Sequence, residues 1–147
     1  MGDPPVASVS MRMGAFPQRR HRAGMSWKTI RLELARSPGF PDGSPERAYL
    51  LHLPLDDDGL VDLGRFRRSP ELATVHRHWP SERVRSGYVI HKRGGWAFSY
   101  AIGEMDDEDV VHLERHPLRL GEYVTITEPD GEKLPYRIAL SEARAAA

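Results

Sequence analysis

The chain has 147 residues, 21 acidic and 21 basic side chains, and no cysteine. This length leaves room for one domain, and a hydrophobic fraction of 39% is too high for a disordered chain. The lack of cysteine excludes disulfides, thiol nucleophiles and Cys-based zinc sites, and it favours a reducing, cytoplasmic setting. No apolar run approaches the roughly 18 residues of a membrane-spanning helix, so we expect no membrane partner.

The first residues differ in character from the rest. Segment 1–24 carries four arginines against one acid and lacks the apolar stretch of a secretory signal. The first well-patterned stretch begins at Met25, so either Met1 or Met25 is the true start. We therefore expect residues 1–24 to be an over-extended start or a disordered extension. A single β-rich domain is predicted over 25–142, with a frayed tail at 143–147.

Alternation of polar and apolar residues predicts the first two strands, at 29–35 and 48–53. Between them, segment 37–45 contains three prolines and two glycines, which favour a long loop. Asp62 is placed to cap one helical turn that runs through Phe66, and Pro70 is placed to start a second short helix.

The third predicted strand, 74–79, contains a conflict. Its alternation puts Val75, Arg77 and Trp79 on one face. If Val75 and Trp79 lie in the core, Arg77 must lie there too. We therefore expect at least one of these face assignments to fail.

Two hairpins complete the predicted domain. The first joins strands 88–92 and 96–101 across a Gly-Gly turn, and Trp96, Phe98 and Tyr100 share one face of it. After an acidic loop at 104–109, a short strand is predicted at 110–114. The second hairpin joins strands 123–127 and 134–140 across Asp130-Gly131, which is the strongest hairpin signal in the sequence.

Eight antiparallel strands, with at most two short helices, must either close on themselves or stack as two sheets. We predict an all-β domain with minor α content, namely a small, closed or nearly closed antiparallel β-barrel; the alternative is a β-sandwich. The hairpin built from 120–126, Asp130-Gly131 and 136–138 resembles the closing hairpin of many small bacterial barrel domains. The whole run 25–144 resembles conserved bacterial proteins with no assigned role, which implies a fold and no activity.

His76 and His78 are the sharpest candidates for a site. Residues two apart on a strand project to the same face, so both imidazoles are able to reach one metal ion. With Glu82 they form an H-x-H-x-x-x-E spacing that is similar to the first metal motif of the cupin β-barrels, although Pro70 stands where that motif has Gly. The resemblance implies His76, His78 and Glu82 as ligands of iron, manganese or zinc. The alternative is a pair of outward-facing surface histidines, with no cofactor at all.

The charges are unevenly distributed along the chain. Segment 62–101 has eight Lys/Arg against three acids, whereas segment 102–132 has ten acids against two arginines. Such a domain is suited to a charged protein partner or to self-association, and the candidate contact residues are Arg65, Arg67 and Arg68. Aromatic residues among the arginines also allow single-stranded nucleic acid, although a neutral chain is unusual for that class. We expect a non-catalytic binding or regulatory module, with a metal-dependent enzyme or sensor and a nucleic-acid binder as alternatives.

Overall fold

The strands of the computed structural model, which describes residues 27–93, 95–100 and 107–143, close into one antiparallel barrel. Each strand pairs with the next, and the last pairs with the first. They are β1 Trp27–Leu34, β2 Ser44–Pro54, β3 Thr74–His78, β4 Arg85–Lys92, β5 Gly95–Ser99, β6 Glu108–Val111, β7 Tyr123–Thr127 and β8 Lys133–Ala143. The predicted eight-stranded barrel is confirmed. The sandwich alternative is wrong, because pairing between β1 and β8 joins all the strands into a single closed sheet.

Three predictions fall wholly or partly on segments that the structure does not describe. The N-terminal extension at 1–24, the tail beyond Ala143 and the acidic loop at 104–106 lie outside the described residues. Within the described residues, no helix has the length and apolarity needed to cross a membrane.

Both predicted short helices are present between β2 and β3. The helix α1, Leu63–Arg68, begins after Asp62, whose side chain accepts a hydrogen bond from the Arg65 backbone N–H at 3.2 Å. A 3₁₀ turn, Pro70–Leu72, follows with proline in its first position. Phe66 is the buried residue of α1, and its ring meets the edge of Trp96 at a centroid distance of 4.9 Å. The helix therefore covers the barrel at the end where β5 begins.

Several strand boundaries differ from the prediction; β4, for example, begins at Arg85 rather than at Tyr88. Strand β6 runs over Glu108–Val111 rather than 110–114, because Phe98 on β5 pairs with Glu108 and places it within the sheet. The chain then leaves the sheet at His112, which has the left-handed φ of 52°, and enters a 3₁₀ turn at Leu113–Arg115. Strand β2 begins at Ser44, so the predicted loop at 37–45 is shorter than expected.

Aliphatic and aromatic side chains from all eight strands fill the interior. Cross-strand partners on its inner surface include Leu51 with Val75 and Val89 with Phe98. Trp96 and Phe98 are buried, and the half-buried Tyr100 packs against the same cluster, so the predicted aromatic wall of the core is confirmed.

The predicted conflict on β3 involves Val75, Arg77 and Trp79. Val75 is fully buried and Arg77 is only 8% exposed, whereas Trp79 follows the end of β3 and is half-buried, so the placement of Trp79 in the core is the assignment that fails. Arg77 lies inside the barrel because its guanidinium has a buried partner there. That partner is Glu108, on β6.

Gly87 lies where the backbone of β4 closely approaches the end of β5. A Cβ added there would lie 2.1 Å from the carbonyl oxygen of Ser99 and 2.9 Å from the Cα of Tyr100. We expect Gly87→Ala to lower the free energy of unfolding by roughly 2–4 kcal/mol, because backbone atoms must move apart. Urea denaturation monitored by circular dichroism measures this loss.

The matched control is Gly64→Ala, in α1. Its added Cβ has no neighbour closer than 3.6 Å. Because alanine is the better helix former, this variant should be neutral or stabilised by up to about 1 kcal/mol. Equal stability of Gly87→Ala and the unmodified protein would contradict the close approach.

Candidate functional site

A cluster of polar side chains lies inside the otherwise apolar barrel. Arg77 on β3 is the cross-strand neighbour of Tyr49 on β2, and Glu108 on β6 is the neighbour of Phe98 on β5. The Arg77 Nε atom lies 3.6 Å from Oε2 of Glu108, and both side chains are almost completely shielded from water. The two opposite charges therefore neutralise each other inside the fold.

Three tyrosines surround this ion pair. The Tyr100 hydroxyl donates a hydrogen bond of 2.6 Å to Oε1 of Glu108. The Tyr49 ring meets that of Tyr136 edge-on, with ring centroids 5.0 Å apart. Burial raises the pKa of Tyr49, Tyr100 and Tyr136 far above the ordinary tyrosine range, so all three hydroxyls stay protonated at physiological pH. Within the described chain, the hydroxyls of Tyr49 and Tyr136 are buried without a partner at hydrogen-bonding geometry.

Arginines and aromatic rings stack outward from the cluster. The Arg77 guanidinium lies 3.7 Å from the centroid of the Trp79 ring. The Arg47 guanidinium lies 5.4 Å from the ring centroid of Trp79 and 4.4 Å from that of Phe40. Cation–π contacts of this kind contribute about 0.5–2 kcal/mol each, according to how well they are shielded. Through these contacts, the segments that follow β1 and β3 pack together at the end of the barrel.

Glu82, a predicted metal ligand, instead contacts Arg77. Its Oε1 accepts a hydrogen bond of 3.4 Å from Nη1 of Arg77. Glu82 follows Ser81, which has a left-handed φ of 64°. Its carboxylate thus reaches towards the barrel interior from an exposed turn.

The two predicted histidine ligands lie on the outer face of β3. His76 Nδ1 is 2.8 Å from Oγ of Ser86, and His78 borders a cleft of about 190 Å³ together with Trp79. Arg77 lies between the two histidines in sequence and points inward. Glu82 contacts Arg77, so its carboxylate does not reach the outer face on which the histidines lie. The structure does not bring His76, His78 and Glu82 into one group, and metal binding there stays a prediction.

In the described segments, one group of three potential ligands has its oxygens within 4.8 Å of one another: Glu128, Asp130 and Glu132, in the turn between β7 and β8. Glu128 lies one step beyond the Asp109–Thr127 pair, which brings it near Glu108. Burial and the negative charge of Glu108 raise the pKa of Glu128, and Arg77 offsets part of this effect.

The predicted contact residues Arg65, Arg67 and Arg68 all lie on α1. Arg65 forms an ion pair of 3.5 Å with Asp62, whereas Arg67 and Arg68 are exposed. The same helix forms one wall of a groove of about 440 Å³, whose lining residues are Phe66, Pro70, Glu71, Tyr88, Val89, Ile90 and His91. Phe66 is the residue of this helix that lines the groove, and Arg67 and Arg68 follow it directly in sequence without lining it.

Sequence reasoning also missed the interior cluster of Tyr49, Arg77, Glu108 and Tyr136. One signal was present, namely the position of Arg77 between two residues that were predicted to face the core. The corresponding signal for Glu108 was concealed, because the run of acids around it was interpreted as a solvated loop.

The Arg77–Glu108 pair gives a prediction for stability. Arg77→Met should lower the free energy of unfolding by roughly 3–5 kcal/mol, because Glu108 is left charged and buried without its cation. The double variant Arg77→Met/Glu108→Gln should lose less than Arg77→Met alone. Urea unfolding of the two single variants and the double variant measures the coupling. Additive losses would contradict a direct interaction.

Glu128 gives a prediction for pH dependence. Because its pKa is raised in the fold, the protonated form is favoured there, and stability falls as pH rises through the raised pKa. Glu128→Gln mimics the protonated form. It should therefore be more stable than the unmodified protein at pH 7, and the difference should disappear below the ordinary glutamate pKa of about 4.3. Glu132→Gln, in the same turn but exposed, is the control and should change stability less. A Glu128→Gln benefit that persists unchanged in acid would contradict this origin.

Comparison with known proteins adds no relative. No family model, no curated protein and no solved structure matches the chain. The cupin motif therefore stays a local similarity of spacing, and the function is argued from the geometry.

Proposed function

We propose that this barrel is a non-catalytic binding module that holds an acidic protein segment with an apolar anchor residue. The observation that carries the proposal is a largely apolar groove lined by Phe66 of α1, the helix that also carries the exposed Arg67 and Arg68. We refer to the concavity lined by Phe66, Pro70, Glu71 and residues 88–91 as the α1 groove.

The floor of the α1 groove supplies the apolar part of the contact. Phe66 and Val89 are buried in the core beneath it, and Tyr88 on its wall is 52% exposed. An exposed tyrosine with a buried neighbour offers a large, rigid contact area, and tyrosine is enriched at binding hot spots. An aliphatic or aromatic residue of the partner would cover this surface.

The rim supplies the charge. Arg67 and Arg68 are exposed on the helix whose Phe66 lines the groove. Basic residues around an apolar centre steer an acidic segment and set its orientation more than its affinity. Glu71 also lines the groove, and its charge disfavours a phosphate backbone over a peptide whose acids are few and spaced.

The interior cluster supports the non-catalytic assignment. Arg77, Glu108 and Tyr100 are engaged with one another inside the fold rather than presented to a cleft. The cysteine-free composition supports our expectation that the module works in a reducing, cytoplasmic compartment.

A labelled peptide tests the α1 groove directly. The probe is a 12-residue peptide with a central Phe and Leu flanked by Asp and Glu, and its binding is measured by fluorescence anisotropy. We expect Arg67→Glu/Arg68→Glu to weaken binding about tenfold or more by reversing the rim charge. Tyr88→Ala should weaken it by a similar factor through lost apolar contact. Arg83→Glu, which reverses an exposed charge on the turn before β4, is the matched control and should bind normally.

Two further probes separate the alternatives. A peptide with the same acids but Ser in place of Phe and Leu should bind much more weakly, and equal binding would contradict an apolar anchor. An oligothymidylate that binds more tightly than the acidic peptide, with a steep loss as salt rises, would instead support a nucleic-acid binder.

A further inference from the structure

Exposed apolar side chains occur both at the α1 groove and on a second surface. Tyr88, 52% exposed, lines the groove. Leu120 is 69% exposed, which is the highest value for any large apolar side chain in the described part of the chain. It lies at residues 118–122, just before β7, and we refer to these residues as the Leu120 turn. An apolar side chain therefore projects into water from this turn.

Backbone hydrogen bonds hold the Leu120 turn in place. The Gly121 N–H donates to the Ile138 carbonyl at 2.9 Å, and the Ile138 N–H donates to the Glu122 carbonyl at 2.8 Å, so the turn is fixed to β8. The Leu118 N–H donates to the Gly59 carbonyl at 2.8 Å, which also fixes the turn to the connection between β2 and α1. An apolar anchor on a preorganised turn loses little conformational freedom when it binds, and this favours association.

The surface beside Leu120 is acidic. The connection at 56–59 lies next to the Leu120 turn, and its three aspartates, at 56–58, are exposed. Glu122 is exposed as well. The base in these two turns is Arg119, whose side chain packs so closely over Gly59 that a Cβ added there would lie 3.0 Å from its Cγ. The two turns thus carry four acids against one base around an apolar anchor.

We propose that the Leu120 turn of one copy of this chain binds in the α1 groove of another copy. The inference rests on the proposed function, because it names a second copy as the acidic partner with an apolar anchor. Leu120 covers the apolar lining beside Tyr88, in a groove of about 440 Å³. The aspartates at 56–58 then face Arg67 and Arg68, which outweigh the single acid of the groove lining, Glu71, and orient the contact.

The two surfaces lie on opposite sides of the barrel. The α1 groove is built partly on β4, whereas the Leu120 turn is fixed to β8, and three strands separate β4 from β8 in either direction around the closed sheet. One chain therefore cannot fill its own groove. A contact between two different surfaces leaves one turn and one groove free in every pair, so further copies can add to it. The assembly is head to tail rather than a symmetric dimer.

Sedimentation velocity of the full chain tests this assembly. The weight-average sedimentation coefficient of the unmodified protein should rise with concentration and pass the value for a dimer. Leu120→Ser removes the anchor, and Tyr88→Ala removes part of the groove, so each should weaken self-association about tenfold or more. Glu122→Lys should also weaken it, by reversing an acid beside the anchor. Val84→Ser is the matched control, since Val84 is 47% exposed on the turn before β4, and it should associate normally.

An equimolar mixture of two variants separates this model from other modes of association. Leu120→Ser keeps an intact groove, and Tyr88→Ala keeps an intact turn. The mixture should therefore form one-to-one complexes and nothing larger, because each complex contains a single complete contact. An excess of the 12-residue acidic peptide should dissociate assemblies of the unmodified protein by competing for the α1 groove.

Several outcomes would overturn the proposal. Sedimentation of the unmodified protein that does not change with concentration would do so, as would undiminished assembly of Leu120→Ser or a mixture that stays monomeric. Circular dichroism establishes that each variant is folded. A chain that stays monomeric but binds the acidic peptide in the α1 groove would refute self-association and leave the proposed function intact, whereas the absence of both would refute both.

Discussion

The Arg77–Glu108 pair places the most demanding constraint on this barrel. Taking a guanidinium and a carboxylate out of water costs several kcal/mol for each ion, and only close pairing with further polar contacts offsets that cost. The partners lie on β3 and β6, which are not neighbours in the sheet. Both strands must therefore keep a register that directs these two side chains inward at the same level. A slip by one residue in either strand would direct its charged side chain to the outer face and leave the other charge alone in the core.

This constraint also explains why the two ends of the barrel differ. Trp96 lies near the start of β5, and Tyr100 follows its last residue. Trp96 packs against Phe66 of α1 in an apolar contact, whereas Tyr100 hydrogen-bonds to Glu108 within the polar cluster. One end is thus closed by hydrophobic packing, which tolerates substitutions of similar volume. The other is closed by a network of charges and rings, in which the loss of a single member leaves others unsatisfied.

Much of the fold could be predicted because its signals are local. Strand alternation, the Asp130-Gly131 turn, the Asp62 cap and the proline at position 70 each act within a few residues, and the structure confirms all of them. Closure into a barrel was also predicted, although it depends on the pairing of β1 with β8, the first and last of the described strands. The candidate site was harder to predict because it depends on residues far apart in sequence. Nothing near Arg77 reveals that Glu108 will face it, and nothing near Arg67 reveals the groove formed by Tyr88.

The pairing of β1 with β8 has a consequence for how this protein meets other molecules. An open sheet ends in strands whose backbone N–H and C=O groups are available to a further strand, and such edges recruit extended peptides or seed fibrils. Here each of the eight strands has a neighbour on both sides. Recognition by strand addition is therefore closed to this sheet while it stays folded. Any partner must be selected by side chains and surface shape, and local opening of the β1–β8 seam would be the route by which the chain becomes prone to aggregation.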